Sequence, residues 1–380
     1  MPEGQVSLAP AADRFDADPA RSYTLAAPYY FDPEVYAREL DEIFYRSWNY
    51  VAYAGELASP GSYVTTRIGD QGVFVIRGKD GELRAFHNVC AHRAHELLQG
   101  SGTAKVITCP YHAWSYRLDG RLRTARGSEK VEGFDRSEFC LKPLAVETYA
   151  GFVFVNLDRS APSLAGLAGR LEQEIRSYVP ELDRLKFAHR QTYELKANWK
   201  NVVDNFLECY HCPPAHPAFV DLVEIKGYRT VCHDLYSSHI SPPGRADNKA
   251  YSFDAATGAK DFAAWWLWPN VTFITFPGSP NIAVLHIMPT GPETTREHLD
   301  FFFADSTPTA AEMEAIRYTD EVLQVEDIGL VESVQRGLHS RGYHQGRYIV
   351  DPERTDISEH GVHHFHGLVL RALHRQATSR

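Results

Sequence analysis

Cysteine is scarce in this chain: six in 380 residues, at Cys90, Cys109, Cys140, Cys209, Cys212 and Cys232. So few exclude a disulfide scaffold, and in a reducing compartment the clustered ones are read as reduced thiols, either ligands or buried. Cationic excess is missing too. Lys and Arg number 39 against 49 Asp and Glu, a formal net charge of −10, which removes the electrostatic basis for binding nucleic acid. No apolar run is long enough to span a bilayer, and the opening residues lack a basic stretch followed by an apolar one, so neither a membrane anchor nor a secretory signal is expected. Internal repeats, low-complexity tracts and heptads are absent, as is the glycine fingerprint of a dinucleotide-binding turn. The expectation is a soluble, cytoplasmic protein with room for two or three domains.

Between Tyr63 and about Asp158, short Val/Ile/Phe-rich runs alternate with Gly-Asp and Asp-Gly punctuation and close on "YAGFVFVNLD", the pattern of a small β domain. Downstream, helical windows at Trp199 to Cys212 and Glu312 to Leu338 mix with strand-like "NVTFITFPG" and "NIAVLHIMP", which predicts an α+β domain around an antiparallel sheet. The expected division is an N-terminal segment over 1–44 packing on the larger domain, a β-rich domain over 45–160 and a larger domain over 161–380.

Within the β domain, Cys90-x-His92 is followed after sixteen residues by Cys109-x2-His112. Each half carries one thiolate and one imidazole, whereas a Cys2His2 zinc finger pairs like with like. Alternation suits two loops that each reach both irons of a binuclear cluster with two Cys on one iron and two His on the other. A structural zinc site, or two unrelated pairs, is the other reading. His95 fits neither pair and is read as structural. Cys140 has no partner nearby and is read as a buried thiol.

A second constellation lies in "NWKNVVDNFLECYHCPPAHP" (Asn198 to Pro217). At 100° per residue Asn201, Asp204 and Glu208 fall on the side of His211, while Val202, Val203, Phe206 and Tyr210 face away. Pro213 and Pro214 are expected to stop the helix, leaving His216 in a turn that can fold back toward His211. A solvated face with two capping histidines is the plainer alternative. In "EVLQVEDIGLVESVQRGL" the apolar stripe is Leu323, Leu330, Val331, Val334 and Leu338, and Asp327 falls in its middle. A carboxylate on a buried face needs a cation or donors to compensate it. Asp327 is thus the candidate third ligand of a two-His, one-carboxylate iron site, with a buried salt bridge to Arg or Lys as the competitor. Glu321, Glu326 and Glu332 read as ordinary exposed charges. Three tryptophans in "FAAWWLWPNVTF", Trp265, Trp266 and Trp268, offer either an aromatic cage or, the preferred reading, a core or intersubunit strand. The "HHFH" stretch from His363 to His366 reads as surface or packing.

At these residues the chain resembles the α subunits of Rieske non-haem iron oxygenases. "VITCPYHAWSYRLDG", "YAGFVFVNLD", "DNFLECYHCPPAHP", "VESVQRGLHSRGY" and "ISEHGVHHFH" carry the resemblance from about Tyr30 onward, and are similar to the branch acting on carnitine, choline, glycine betaine and stachydrine. The resemblance implies a Rieske [2Fe–2S] cluster on Cys90, His92, Cys109 and His112, and mononuclear Fe(II) on His211, His216 and Asp327. It also implies an acid, here Glu208, that bridges the iron's His to a Rieske His of the neighbouring subunit in a homotrimer. Many ring-hydroxylating members carry Asp there; Glu agrees with the quaternary ammonium branch. The activity implied is hydroxylation of a small molecule with O2, with C–N cleavage or N-demethylation. Electrons would come from a separate NAD(P)H-dependent flavin and iron–sulfur reductase. An aromatic-acid dioxygenase or O-demethylase, and a Rieske electron-transfer protein, are the alternatives.

Overall fold

The computed structural model describes residues 14–245, 247–253 and 261–374. The chain divides into two compact units, one formed by Phe44–Leu167 and the other by Met1–Ile43 with Ala168–Arg380.

In the first unit, seven strands form an antiparallel sheet in the order Asn49–Tyr53, Phe152–Asn156, Pro143–Tyr149, Leu83–His87, Gln71–Arg77, Ser62–Ile68, Ser101–Thr103. Its central runs are buried on both faces, as in "VFVI" from Val73 to Ile76 and the whole of "FVFVN", so they read as continuous apolar stretches rather than alternation. A second, three-stranded sheet (Ile107–Thr108, Ser115–Tyr116, Leu122–Thr124) lies in the same unit. Phe74, Ile76, Phe86, Ile107, Trp114 and Tyr116 share a core cluster with Cys90 and Cys109.

The second unit is built on an antiparallel sheet of seven strands, in the order Lys186–Leu195, Thr294–Phe303, Asn281–Gly291, Val271–Thr275, Phe262–Leu267, Tyr236–Ser241, Arg229–Cys232. The α+β expectation holds. Helix Pro33–Glu42 is capped by the Asp32 side chain with Pro at its first turn, and it carries Glu39 into the same unit. There Glu39 accepts from the Lys200 ammonium and from Trp199 Nε1 at 2.8 Å, and both members of the Lys200–Glu39 pair are fully buried. Burial pulls the Lys200 pKa down, with the Glu39 charge opposing it.

Two helices, Ala310–Tyr318 and Gln324–Leu338, are joined without a break by a π turn over Thr319–Leu323. Such turns insert a widened loop of helix and cluster at functional sites. The expected apolar stripe is only half right. Val331 and Leu338 are buried, but Leu330 and Val334 are 38% and 51% exposed. The buried line of the helix is Gln324, Val331, Gln335 and Leu338, so Asp327 flanks that line instead of sitting at the centre of an apolar face.

The helix beginning at Trp199 ends at Phe206, and Pro213 and Pro214 do not stop it. They occupy the opening of a new short helix, Cys212–Ala215, where a missing N–H costs nothing. Its polar ribbon is not a solvated face. Asn201 is buried and donates to Gln335 Oε1 at 2.8 Å, and Asp204 accepts from Tyr30 Oη and from His366 Nε2 at 2.7 and 2.8 Å. His366 is thus a core residue, as the packing reading of "HHFH" has it. Trp265 and Trp266 are fully buried; Trp265 Nε1 donates to Glu174 at 3.3 Å and Trp266 packs on Trp268 and Phe365, which favours the core reading. Among the described residues no helix is long and apolar enough to cross a membrane.

Candidate metal centres

The two Cys/His halves of the first unit are folded alike. In each, the Cys carbonyl accepts from the residue four on, Ala94 N–H and Ala113 N–H, both at 3.0 Å. The Cys N–H in turn donates to the carbonyl five on, of His95 at 2.9 Å and of Trp114 at 2.8 Å. Ala94 and Ala113 take left-handed φ values of 57° and 58°, where a Cβ is unfavourable. The two loops therefore share one strained backbone design, and it puts the side chains at Cys90 and His92, and at Cys109 and His112, toward one another. The His92 and His112 rings are 4.7 Å apart, and His92 stacks on Trp114 at 4.6 Å. Cys90 and Cys109 are buried free thiols, and burial raises the Cys90 pKa. His112 Nδ1 is buried without a hydrogen-bond partner, a state that costs free energy unless something else ligates the atom.

Tyr116 was not singled out by sequence. Its hydroxyl accepts from Ala91 N–H at 3.0 Å and lies 3.2 Å from Cys90 Sγ, within hydrogen-bond reach. His95 is exposed and bonds the neighbouring Glu96 carbonyl at 2.5 Å through Nδ1. Cys140 is half-buried, not buried, because the 3-10 turn Arg136–Phe139 leaves it at the edge of the core.

In the second unit, ligand atoms of His211, His216 and Asp327 lie within 4.8 Å of one another, a spacing one metal ion can fill. The three come from the segment after helix Trp199–Phe206, from the turn before Pro217, and from the first turn of Gln324–Leu338. Asp327 Oδ1 is 3.0 Å from His216 Nε2 and 3.6 Å from His211 Nε2. Among the described residues no Arg or Lys pairs with Asp327; histidines face it instead. Each imidazole is oriented through its other nitrogen. His211 Nδ1 donates to Glu208 Oε1 at 2.6 Å, and the His211 backbone N–H donates to Glu208 Oε2 at 3.1 Å. His216 Nδ1 donates to Glu326 Oε2 at 2.8 Å, so Glu326 is not an ordinary exposed charge. The need of a ligand His for a partner on its far nitrogen is the signal that could have found it. Burial works against the charged form of His211, but Asp327 and Glu208 outweigh it and push its pKa up to about 10. The site is thus electronegative enough to hold positive charge.

Cys209 and Cys212 bracket His211 and are joined as a disulfide, against the expectation of reduced thiols. The turn after Phe206 brings their Cα atoms to 4.9 Å, within bridging range.

A cavity opens beside these three residues. Phe206, Phe219, Tyr228, Phe262 and Phe276 line it with Leu285 and Leu299, and its polar members include Asn205, Glu208, Glu297 and Gln324. Phe262 packs against Phe219 and Phe276 at 5.2 and 5.8 Å between ring centres, making a continuous aromatic wall.

One unit with paired Cys/His loops and another with a two-His, one-carboxylate cluster beside a cavity define a two-centre oxidoreductase. The comparisons agree with that class. The Rieske [2Fe-2S] domain family matches residues 47–135, and the ring hydroxylating alpha subunit catalytic domain family matches residues 182–375. The chain is 42% identical to the carnitine monooxygenase oxygenase subunit of Acinetobacter pittii, over 94% of this chain and 96% of that protein. It is 41% identical to that of Escherichia coli K12, with the same coverage, and 32% identical to the chloroplastic choline monooxygenase of Beta vulgaris, over 95% of this chain and 80% of the relative. A solved quaternary ammonium Rieske monooxygenase in complex with L-carnitine superposes with a TM-score of 0.87 at 41% identity, covering 97% and 99% of the two chains. The chain belongs to the Rieske non-haem iron oxygenases, as an oxygenase α subunit. It is an oxidoreductase that carries a Rieske [2Fe–2S] cluster and a mononuclear iron, and it works with a separate reductase on a small-molecule substrate.

Proposed function

We propose that this enzyme hydroxylates a quaternary ammonium compound of the carnitine or betaine type and thereby breaks its C–N bond or removes an N-methyl group. The observation that carries the reading is the aromatic wall of Phe219, Phe262 and Phe276 on the cavity beside His211, His216 and Asp327, since ring faces attract a methylated ammonium. Relatives named for carnitine and choline support the same substrate class.

Cys90, His92, Cys109 and His112 are assigned to the cluster, supported by the two buried thiols and the unpartnered His112 Nδ1. His211, His216 and Asp327 are assigned to the iron, supported by their converging ligand atoms. Bound there, the iron would supply O2 activation and the cluster one-electron transfer. Glu208 and Glu326 hold the two imidazoles in the tautomer that leaves Nε2 free. The aromatic wall fixes the ammonium and keeps water from the reacting carbon. Hydroxylation of a carbon bonded to nitrogen gives a hemiaminal-type product, which expels the amine as the C–N bond breaks and a carbonyl forms.

Glu208 is further assigned as the bridge to a Rieske His of the neighbouring subunit in a homotrimer, and the reductase as a flavin and iron–sulfur protein drawing on NAD(P)H in the cytoplasm. Mixing a His112→Ala chain with an Asp327→Ala chain tests the bridge: activity returns in mixed trimers, and its absence would sink intersubunit transfer. The substrate test is NADH-dependent oxygen uptake with a compatible reductase across carnitine, betaines, choline and aromatic acids. Uptake matched by trimethylamine or aldehyde is expected; product from an aromatic acid alone overturns the substrate class.

A further inference from the structure

Glu297 is a carboxylate in the wrong surroundings for a core residue. It lies on the interior strand Thr294–Phe303, next to the edge strand of the sheet, paired with Tyr193 on one side and Ile287 on the other, and it is 1% exposed. Its face of the strand is that of Thr295 and Leu299, and Glu297 and Leu299 both line the cavity beside Asp327. The hydrogen-bond partner it meets is neutral: Gln324 Nε2 donates to Glu297 Oε2. Among the described residues no Lys, Arg or His is a hydrogen-bond or ion-pair partner of Glu297; burial first and the negative charge of Asp327 second push its pKa up to about 8.

A buried acid without a cation costs several kcal/mol in an ordinary core. Lys200 shows what this fold does with a buried charge that has only a structural part: it is paired with Glu39 and given further donors and acceptors. Glu297 has no such cation, and the space next to it is the substrate cavity.

We propose that Glu297 is the counter-charge for the substrate's quaternary ammonium group, an assignment that rests on the quaternary ammonium reading above. The aromatic wall attracts a methylated cation by ring quadrupole but does so weakly, at about 0.5–2 kcal/mol per contact. An ionised carboxylate in the same low-dielectric cavity, a state the arriving cation itself favours by offsetting burial, discriminates a cation from an uncharged group of equal shape much more strongly. Its position on a strand paired on both sides, with Gln324 gripping one oxygen, holds that charge at a fixed place. The nitrogen drawn to it sits in the cavity that Asp327, His211 and His216 also line, so the carbons bonded to nitrogen are those presented for oxidation.

The test compares L-carnitine with its isostere 3-hydroxy-5,5-dimethylhexanoate, in which carbon replaces the ammonium nitrogen and the carboxylate is the one charge left. Binding is measured by calorimetry on the metal-loaded oxygenase. Wild-type protein is expected to bind carnitine at least about 100-fold more tightly than the isostere, and Glu297→Gln, which keeps shape and a hydrogen bond, to narrow that ratio to about tenfold or less. Glu297→Asp restores most of the preference, because it restores the charge. Should the Gln variant fail to hold the Rieske absorption, Glu297→Met removes the buried acid with no polar group to satisfy and is expected to show the same loss. Equal or absent binding of both probes by wild type overturns the quaternary ammonium reading and this assignment with it. A wild-type preference that survives in full in Glu297→Gln or Glu297→Met overturns Glu297 alone.

Discussion

The two metal-site regions are made in opposite ways. Around Cys90 and Cys109 everything needed lies within two short loops of one backbone design, each closed by its own N–H and carbonyl groups and an alanine in a left-handed conformation. Around His211, side chains arrive from segments more than a hundred residues apart, and the orienting acids Glu208 and Glu326 come from both. A site written into local backbone is specified by spacing. A site written into tertiary packing depends on the helices and sheet that carry it.

The contrast can be broken most completely at Asp327. Asp327→Ala is expected to abolish iron binding and turnover while leaving the visible absorption of the cluster intact, and Cys109→Ala to abolish that absorption and turnover while leaving iron binding at the second site intact. Iron quantification with the absorption spectrum checks both, and a joint loss in either variant would erase the distinction. Next comes the scaffold of the distributed site. Lys200→Met strands the Glu39 carboxyl in the core and is expected to cost about 3–5 kcal/mol in denaturant unfolding of the second unit, with the first unit's transition unmoved. A smaller effect is expected from Glu326→Gln, which keeps the fold but weakens the grip on His216: a loss of about 10- to 100-fold in iron affinity, read by metal titration. The smallest belongs to the local site, where Ala94→Gly or Ala113→Gly relieves the left-handed alanine and raises stability by about 1 kcal/mol or less, measured as an upward shift of the thermal midpoint.

That difference also decided what could be read without coordinates. The loops were legible because Cys-x-His and Cys-x2-His are compact and their chemistry is specific. Strand content followed from the apolar runs and turn residues. His211, His216 and Asp327 are legible as candidates and the fold brings them together, yet two of the patterns that point to them differ in the structure. Pro213 and Pro214 open a helix where a stop was expected, because proline is equally at home at a first turn. Leu330 and Val334 face outward although the wheel places them with Leu338. The Cys209–Cys212 bridge has a local signature in its C-x-x-C spacing, but the Tyr116 contact to Cys90 and the burial of Glu297 have none, since each depends on which residues a fold brings within a few ångströms.

The π turn at Thr319–Leu323 bears on how such a site can be gained or lost over generations. A π turn carries extra chain within a continuous helix, so it absorbs an inserted residue without ending the helix. Deleting one residue there rotates everything downstream by about 100°, yet alters neither composition nor helix content in any way a comparison of bulk properties would register. Asp327 would leave the histidines and Gln324 would leave Glu297 in the same step. Along this stretch, a change in the number of residues disturbs the site more than the exchange of an exposed side chain does.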